Sequence, residues 1–216
     1  MLIIIITERL FGGNMKVVCL DLEGVLVPEI WIEFAKITKI EELKKTTRDI
    51  SDYNVLMDYR MKYLNEYGLT LKDIQDVIAK MEPLEGALEF LNTLRDKTQV
   101  IILSDTFSEF ALPLMRKLSY PTIFCNSLVI NDKGMLEGIK LRQVDGKRKA
   151  VEHLKQMGFK VFAAGDSYND LSMIKTADKS CLFRAPKKII EEEKDLKLVT
   201  EYSDFLALIE EFLQDE

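Results

Sequence analysis

The sequence predicts an α/β protein built on a doubly wound parallel sheet, interrupted early by a small block of helices. Three observations lead there. Apolar, strand-like runs alternate with helical patterns along most of the chain, which is how helices come to cover both faces of a parallel sheet. Two acidic clusters, Asp21-Leu22-Glu23-Gly24 and Gly165-Asp166-Ser167-Tyr168-Asn169-Asp170, each directly follow such a run, Val17–Leu20 and Val161–Ala164. Carboxylates at the carboxyl ends of strands face the crevice where open α/β sheets bind ligands. Between the first cluster and about Glu82 the apolar residues fall at helical spacing instead.

In order along the chain, Leu2–Ile6 is strongly apolar but far shorter than the roughly 20 residues of a membrane span. It has no basic leader and no small-residue cleavage site, so it is a poor secretion signal. Met15-Lys16 stands directly before the first strand and reads as a second possible start; the alternative is an extra strand closed by the Gly12-Gly13 turn. If Met15 is the natural start, deleting residues 1–14 is expected to leave activity and melting temperature nearly unchanged. A large loss of stability would show instead that Leu2–Ile6 pairs with the sheet.

In the helical block, Ile30, Phe34 and Ile37 share one face of a first helix. Leu56, Tyr59, Tyr63 and Tyr67 mark a second, and Leu71, Ile74 and Ile78 a third with Thr70 as its N-cap. Asp49–Asn54 reads as a connecting loop. Alternation then resumes with a helix from Pro83-Gly86 to about Lys97 and a buried strand at Val100–Leu103. The next helix, Phe107–Leu118, contains Pro113, which should kink it or mark a junction. Thr122–Cys125 is a strand, and Leu128–Ile130 and Met135–Leu141 flank the turn Asn131-Asp132-Lys133-Gly134. Lys147 opens a helix before the Val161 strand; Ser180–Phe183 and Leu196–Val199 are late strands, and an amphipathic helix runs from about Asp204.

Composition narrows the chemistry. An apolar fraction of 47% over 216 residues is ample for a core domain with a modest insertion. A net charge of −6 and a pI near 5.1 speak against nucleic acid as a partner, which wants a basic surface. Three cysteines, Cys19, Cys125 and Cys181, lie in apolar runs and read as buried thiols of a reducing compartment, the cytoplasm. The single histidine, His153, falls in an amphipathic helical stretch and reads as structural, so carboxylates must carry the reaction. Two acidic strand ends facing one crevice repel each other unless a cation lies between them, which implies a hard divalent metal, magnesium before others. Asp21 and Glu23 fall on one side of an extended chain, a spacing that suits one carboxylate attacking while the other handles a proton.

These residues resemble the haloacid dehalogenase superfamily of phosphotransferases, whose first motif is Asp-x-Asp-Gly, and within it the phosphoserine phosphatase branch. The run Asp-Leu-Glu-Gly-Val-Leu-Val-Pro-Glu-Ile-Trp at Asp21–Trp31 is similar to the bifunctional phosphoserine phosphatase/homoserine phosphotransferase group. The resemblance covers nearly everything from Met15 onward. It implies a core domain of residues 15–27 and 83–216, a helical cap of residues 28–82, and no counterpart for residues 1–14. It makes Asp21 the nucleophile that becomes an aspartyl-phosphate, and Glu23 the acid and then the base. Mg2+ is assigned to the Asp21 carboxylate, the Glu23 backbone carbonyl and Asp166, with Asp170 orienting the metal's water shell.

Ser104 and the N–H of Asp105, at a strand-to-helix junction, are implied to bind phosphate oxygens. Lys147 is the phosphate-facing lysine, and Asn169 reaches the phosphate or substrate. Arg60 aligns with the arginine that holds the substrate carboxylate, a role suited to a planar guanidinium, and Glu29 is in the region that receives the ammonium. The implied reaction is hydrolysis of L-phosphoserine with possible transfer to L-homoserine. A phosphatase of another small metabolite, such as a sugar phosphate or nucleotide, stays open, as does a catalytically silent binding module. Arg60 with Glu29 favours an amino-acid zwitterion, and the intact Asp21, Lys147, Asp166 and Asp170 speak against silence. The superfamily's usual aspartate is a glutamate at position 23, as in the resembled group.

Overall fold

Strict alternation along the central strands decides what the sheet packs against. In β1 (Lys16–Leu20), Val18 and Leu20 join one apolar cluster while Val17 and Cys19 join another. In β5 (Lys160–Gly165), Phe162 and Ala164 face the first cluster, and Val161 and Ala163 the second. Both faces are therefore buried, as a parallel sheet requires. The computed structural model describes residues 15–46, 49–50 and 53–215; the expectation for residues 1–14 lies outside them.

The remaining strands are β2 (Gln99–Phe107), β3 (Thr122–Ile130), β4 (Leu136–Lys140), β6 (Lys179–Phe183) and β7 (Leu198–Val199). They form one seven-stranded sheet in the order β4-β3-β2-β1-β5-β6-β7, parallel except for β4 against β3. The α/β, doubly wound reading is met. The chain leaves β1 for β2 on one side and returns to β5 on the other, so the topological switch point lies at the carboxyl ends of these strands. Asp21 and Asp166 follow the two strands that flank it.

The helices are α1 (Ile30–Thr38), α2 (Tyr53–Glu66), α3 (Leu71–Ile78), α4 (Ala87–Arg95), α5 (Ser108–Lys117), α6 (Gly146–Gln156), α7 (Leu171–Thr176), α8 (Lys187–Glu192) and α9 (Tyr202–Gln214). On one face α4, α5 and α9 cover the sheet, and on the other α6, α7 and α8. Helices α1–α3 have no core of their own. Phe34, Met57, Leu64, Ile74 and Ile78 belong to the same cluster as Leu20 and Ile102. Each is almost fully buried, and each such side chain contributes about 1.5–3 kcal/mol only while the inserted helices stay docked.

Thr70 caps α3 as expected, with Asp73 completing a reciprocal capping box. Several other expectations need correction. The buried stripe of α2 is Leu56, Met57, Arg60 and Leu64, while Tyr67 is exposed; a tyrosine counts as apolar in a periodicity reading but keeps its hydroxyl wet. Helix α2 also starts inside the stretch expected as a loop. β3 is one long strand where two were expected, because polar Asn126 is buried with both ends of its amide bonded.

Helix α5 runs through Pro113 with no junction. A proline removes the N–H that would bond the carbonyl four residues earlier, and that carbonyl, on Glu109, accepts instead from Gln75 Nε2 of α3 at 2.8 Å. The orphaned acceptor thus becomes a docking point for the insert. Cys19 and Cys181 are buried but Cys125 is only partly so, and all three are free thiols. Among the described residues, no helix is long and apolar enough to cross a membrane.

Candidate active site

After Leu20 the chain abandons the extended form. Leu26 N and Val27 N both donate to Leu22 O, closing a tight turn. Asp21 and Glu23 therefore reach the same cavity by way of a turn, and the expected pleat geometry does not apply. Gly24 lies in this turn at φ +74°, and a Cβ there would come within 2.3 Å of an Asp166 carboxylate oxygen. Only glycine lets the two acidic segments approach so closely. Gly165 does the same at the end of β5, where a Cβ would meet Asp170 at 2.2 Å.

Lys147 lies in the first turn of α6, and its side chain is 4% exposed. It meets Asp21 Oδ1 at 2.9 Å, Asp170 Oδ1 at 2.7 Å and Asp105 Oδ2 at 3.6 Å. Burial lowers its pKa, but Asp170, Asp21 and Asp105 together outweigh that, so it rises well above the ordinary lysine value. The lysine is charged. Asp21 Oδ1 also accepts from the N–H of Leu22 at 2.8 Å.

Asp170 is 0% exposed. Its Oδ1 is held by Lys147, while its Oδ2 accepts from the N–H groups of Asp166 and Ser167, each at 3.0 Å. Both oxygens are thus engaged by the protein, and the residue fixes the Asp166 loop.

Carboxylate oxygens of Asp21, Asp166 and Asp170 all lie within 4.8 Å of one another. One ammonium cannot neutralise three such groups. Burial first, then the charge of Asp170, push the Asp21 carboxyl well above its usual range and Asp166 up to about 7. An all-oxygen set with surplus negative charge fits a hard divalent cation. Asp21 and Asp166 would hold it, and a bound cation would offset the charge of a phosphate entering beside them.

Glu23 turns toward the helical insert, where its Oε2 accepts from the N–H of Ile30, the first residue of α1, at 2.8 Å. Burial, then the neighbouring charge of Glu29, raise its pKa to about 8, so it holds a proton at neutral pH. Glu29 itself is exposed at the N-cap of α1 and lines the cavity.

Ser104 and Asp105 also line the cavity, but β2 continues to Phe107 and α5 begins only at Ser108. The expected junction is displaced, and no helix N-terminus stands at Ser104. What holds this segment is a set of side-chain bonds. Thr106 N donates to Ser104 Oγ at 3.2 Å, Asn126 Nδ2 donates to Asp105 O at 3.1 Å, and Asn169 Nδ2 donates to Asp105 Oδ2 at 2.9 Å.

Arg60, on α2, is 6% exposed, with its guanidinium 4.4 Å from the centre of the Trp31 ring. One nitrogen donates to Lys45 O at 2.8 Å. Among the described residues no acceptor pairs with its buried Nε. Burial lowers its pKa to about 10, which leaves it charged.

One cavity of about 450 Å³ reaches Asp21, Glu23, Lys147 and Asp166 as well as Arg60 and Trp31. Every candidate site residue expected from the sequence lines it except Asp170, which is buried behind Lys147. Sequence reasoning missed Tyr53 and Asn126. Tyr53 was assigned to a loop, and Asn126 broke an apolar run without any local mark of its bonding.

A carboxylate at the end of β1, a lysine bridging it to a second acidic loop and a helical insert above them define a phosphotransferase-type hydrolase. The chain belongs to the haloacid dehalogenase-like hydrolases, whose family model matches residues 15–178. It is 53% identical over 200 residues to the phosphoserine phosphatase ThrH of Pseudomonas aeruginosa, covering 93% of this chain and 96% of that protein. It is also 53% identical over 178 residues to a phosphoserine phosphatase of Pseudomonas syringae pv. tomato, covering 82% of this chain and 75% of that one. In fold it is similar to a substrate-bound phosphoserine phosphatase, with TM-score 0.72 and 23% identity over 91% of this chain and 99% of that one.

Proposed function

We propose that the protein is a Mg2+-dependent phosphoserine phosphatase that also transfers the phosphoryl group to L-homoserine. The observation that carries the reading is Arg60. A buried guanidinium lines the cavity that also reaches Asp21 and Lys147, as a substrate with a carboxylate at one end and a phosphate at the other requires. Sugar phosphates and nucleotides offer no carboxylate to that guanidinium, and a buried cation without an anionic partner is costly. The relatives named as phosphoserine phosphatases support the same substrate. Glutamate at position 23, within the run Asp21–Trp31, supports the transferase side. The three free thiols support a reducing compartment, the cytoplasm.

In this reading Asp21 attacks phosphorus and the seryl oxygen departs with the proton of Glu23. Lys147, the Ser104 hydroxyl and the Asp105 N–H hold phosphate oxygens, with Asn169 beside them. Arg60 and Glu29 hold the carboxylate and ammonium of the amino acid. Glu23, now ionised, takes a proton from water or from the homoserine hydroxyl, whose oxygen displaces Asp21 from the phosphoryl group. Asp21, the Glu23 carbonyl and Asp166 would hold the metal, which would offset the charge of the phosphate, and Asp170 would orient its surroundings.

The test is phosphate release from O-phospho-L-serine against glucose 6-phosphate and AMP, with and without homoserine. Phosphoserine should lead by a wide margin, and homoserine should divert part of the phosphate into O-phosphohomoserine. Faster turnover of a sugar phosphate or nucleotide would overturn the substrate assignment. Chelation should abolish activity and added Mg2+ restore it; undiminished turnover in excess chelator, with metal content checked, would remove the cation from the mechanism.

A further inference from the structure

Tyr53, at the start of α2, lines the cavity and donates its hydroxyl hydrogen to Asp105 O at 3.2 Å. The acceptor belongs to a peptide held at both edges. Its carbonyl also accepts from Asn126 Nδ2 at 3.1 Å, and its N–H, on Thr106, donates to Ser104 Oγ at 3.2 Å. Because Ser104 Oγ accepts there, its own hydrogen is directed elsewhere. The orientation of that peptide thus sets where the Ser104 hydroxyl points. Tyr53 and Arg60 are seven residues apart on one helix, two turns, so both lie on its cavity-facing side.

We propose that Tyr53 is a positioning residue for substrate length, its hydroxyl bond to the Asp105 carbonyl fixing the helix that carries Arg60 against the end of β2 that carries Ser104. The proposal rests on the phosphoserine reading, in which Arg60 and Ser104 grip opposite ends of one molecule. A rigid link between the two grips favours the substrate whose carboxylate-to-phosphate span matches it and disfavours a homologue one methylene longer. Without the link, α2 and the end of β2 adjust independently and both spans are accepted.

The experiment compares kcat/KM for O-phospho-L-serine and O-phospho-L-homoserine in the wild type and in Tyr53→Phe, which keeps the ring and removes the donor. The preference for the shorter substrate should fall by roughly 2- to 10-fold, the range spanned by one hydrogen bond. In an Arg60→Ala background the same substitution should leave the preference unmoved, because one grip is already gone. Equal losses on both substrates, or an undiminished effect without Arg60, would make Tyr53 a support of the fold and overturn the proposal.

Amide hydrogen exchange, measured without substrate, decides the link itself. Tyr53→Phe should speed exchange in α2 and at Asp105–Thr106 together, and a change confined to α2 would overturn it. That measurement stands even where the wild type fails to hydrolyse phosphoserine, a failure that would fall on the substrate assignment alone.

Discussion

Asp21→Asn is expected to abolish turnover while leaving the fold intact. On the proposed mechanism the substitution removes the attacking oxygen and one carboxylate of the Asp166 and Asp170 cluster in a single step. Loss of a nucleophile lowers kcat by about 10⁴-fold or more. The amide is the same size, and its oxygen still accepts from the N–H of Leu22 and from Lys147, so circular dichroism and melting should change little. Substantial phosphatase activity in cleanly purified Asp21→Asn protein would rule out an aspartyl-phosphate route. Retained binding of phosphate with no turnover is the matching positive result.

Arg60→Ala comes next in size. Removing one partner of a buried, charge-assisted bond costs about 2–5 kcal/mol in transition-state binding, roughly a 30- to 5,000-fold loss in kcat/KM for phosphoserine. p-Nitrophenyl phosphate has no carboxylate, so its turnover should fall far less. Arg60→Lys should recover only part of the loss, because an ammonium lacks the planar fork and stacks less well on Trp31. Equal losses on both substrates would mean that Arg60 holds the inserted helices in place, and the argument for an amino-acid substrate would fall with it.

The sequence was most legible where chemistry and strand ends coincide. Asp21 and Asp166 could be found because each follows a short apolar run, a local pattern that needs no knowledge of distant contacts. Thr70 was readable for the same reason, since a capping box spans only four residues. Failures came where a side chain's environment is assembled from afar. Arg60 lies in the buried stripe of α2, and no periodicity rule places an arginine there; it was reached only through family resemblance. The tyrosines of the same helix misled because amphipathic rings satisfy a count of apolar residues from either side. The strand before Ser104 was expected to end at Leu103, where the apolar run stops, with Ser104 at a strand-to-helix junction. The chain instead stays extended to Phe107, held by Asn126 and Tyr53, which join it only in three dimensions.

The place of β1 in the sheet also bears on how the protein comes into being on the ribosome. Val18 pairs with Val100 on one side and Phe162 on the other, so the strand that delivers Asp21 is made first and receives both partners late. Such long-range pairings form slowly, because the loops they close are entropically expensive. While the chain is still being made, Asp21 and Glu23 have neither Lys147 nor the Asp166 loop to oppose them, and the sheet lacks its central neighbour. The cluster of Asp21, Lys147, Asp166 and Asp170 thus comes together only after most of the chain has been made. A nascent or truncated chain ending before Lys160 exposes the unpaired edge of β1 and the apolar flanks of its partner strand, a form more prone to aggregation than to chemistry.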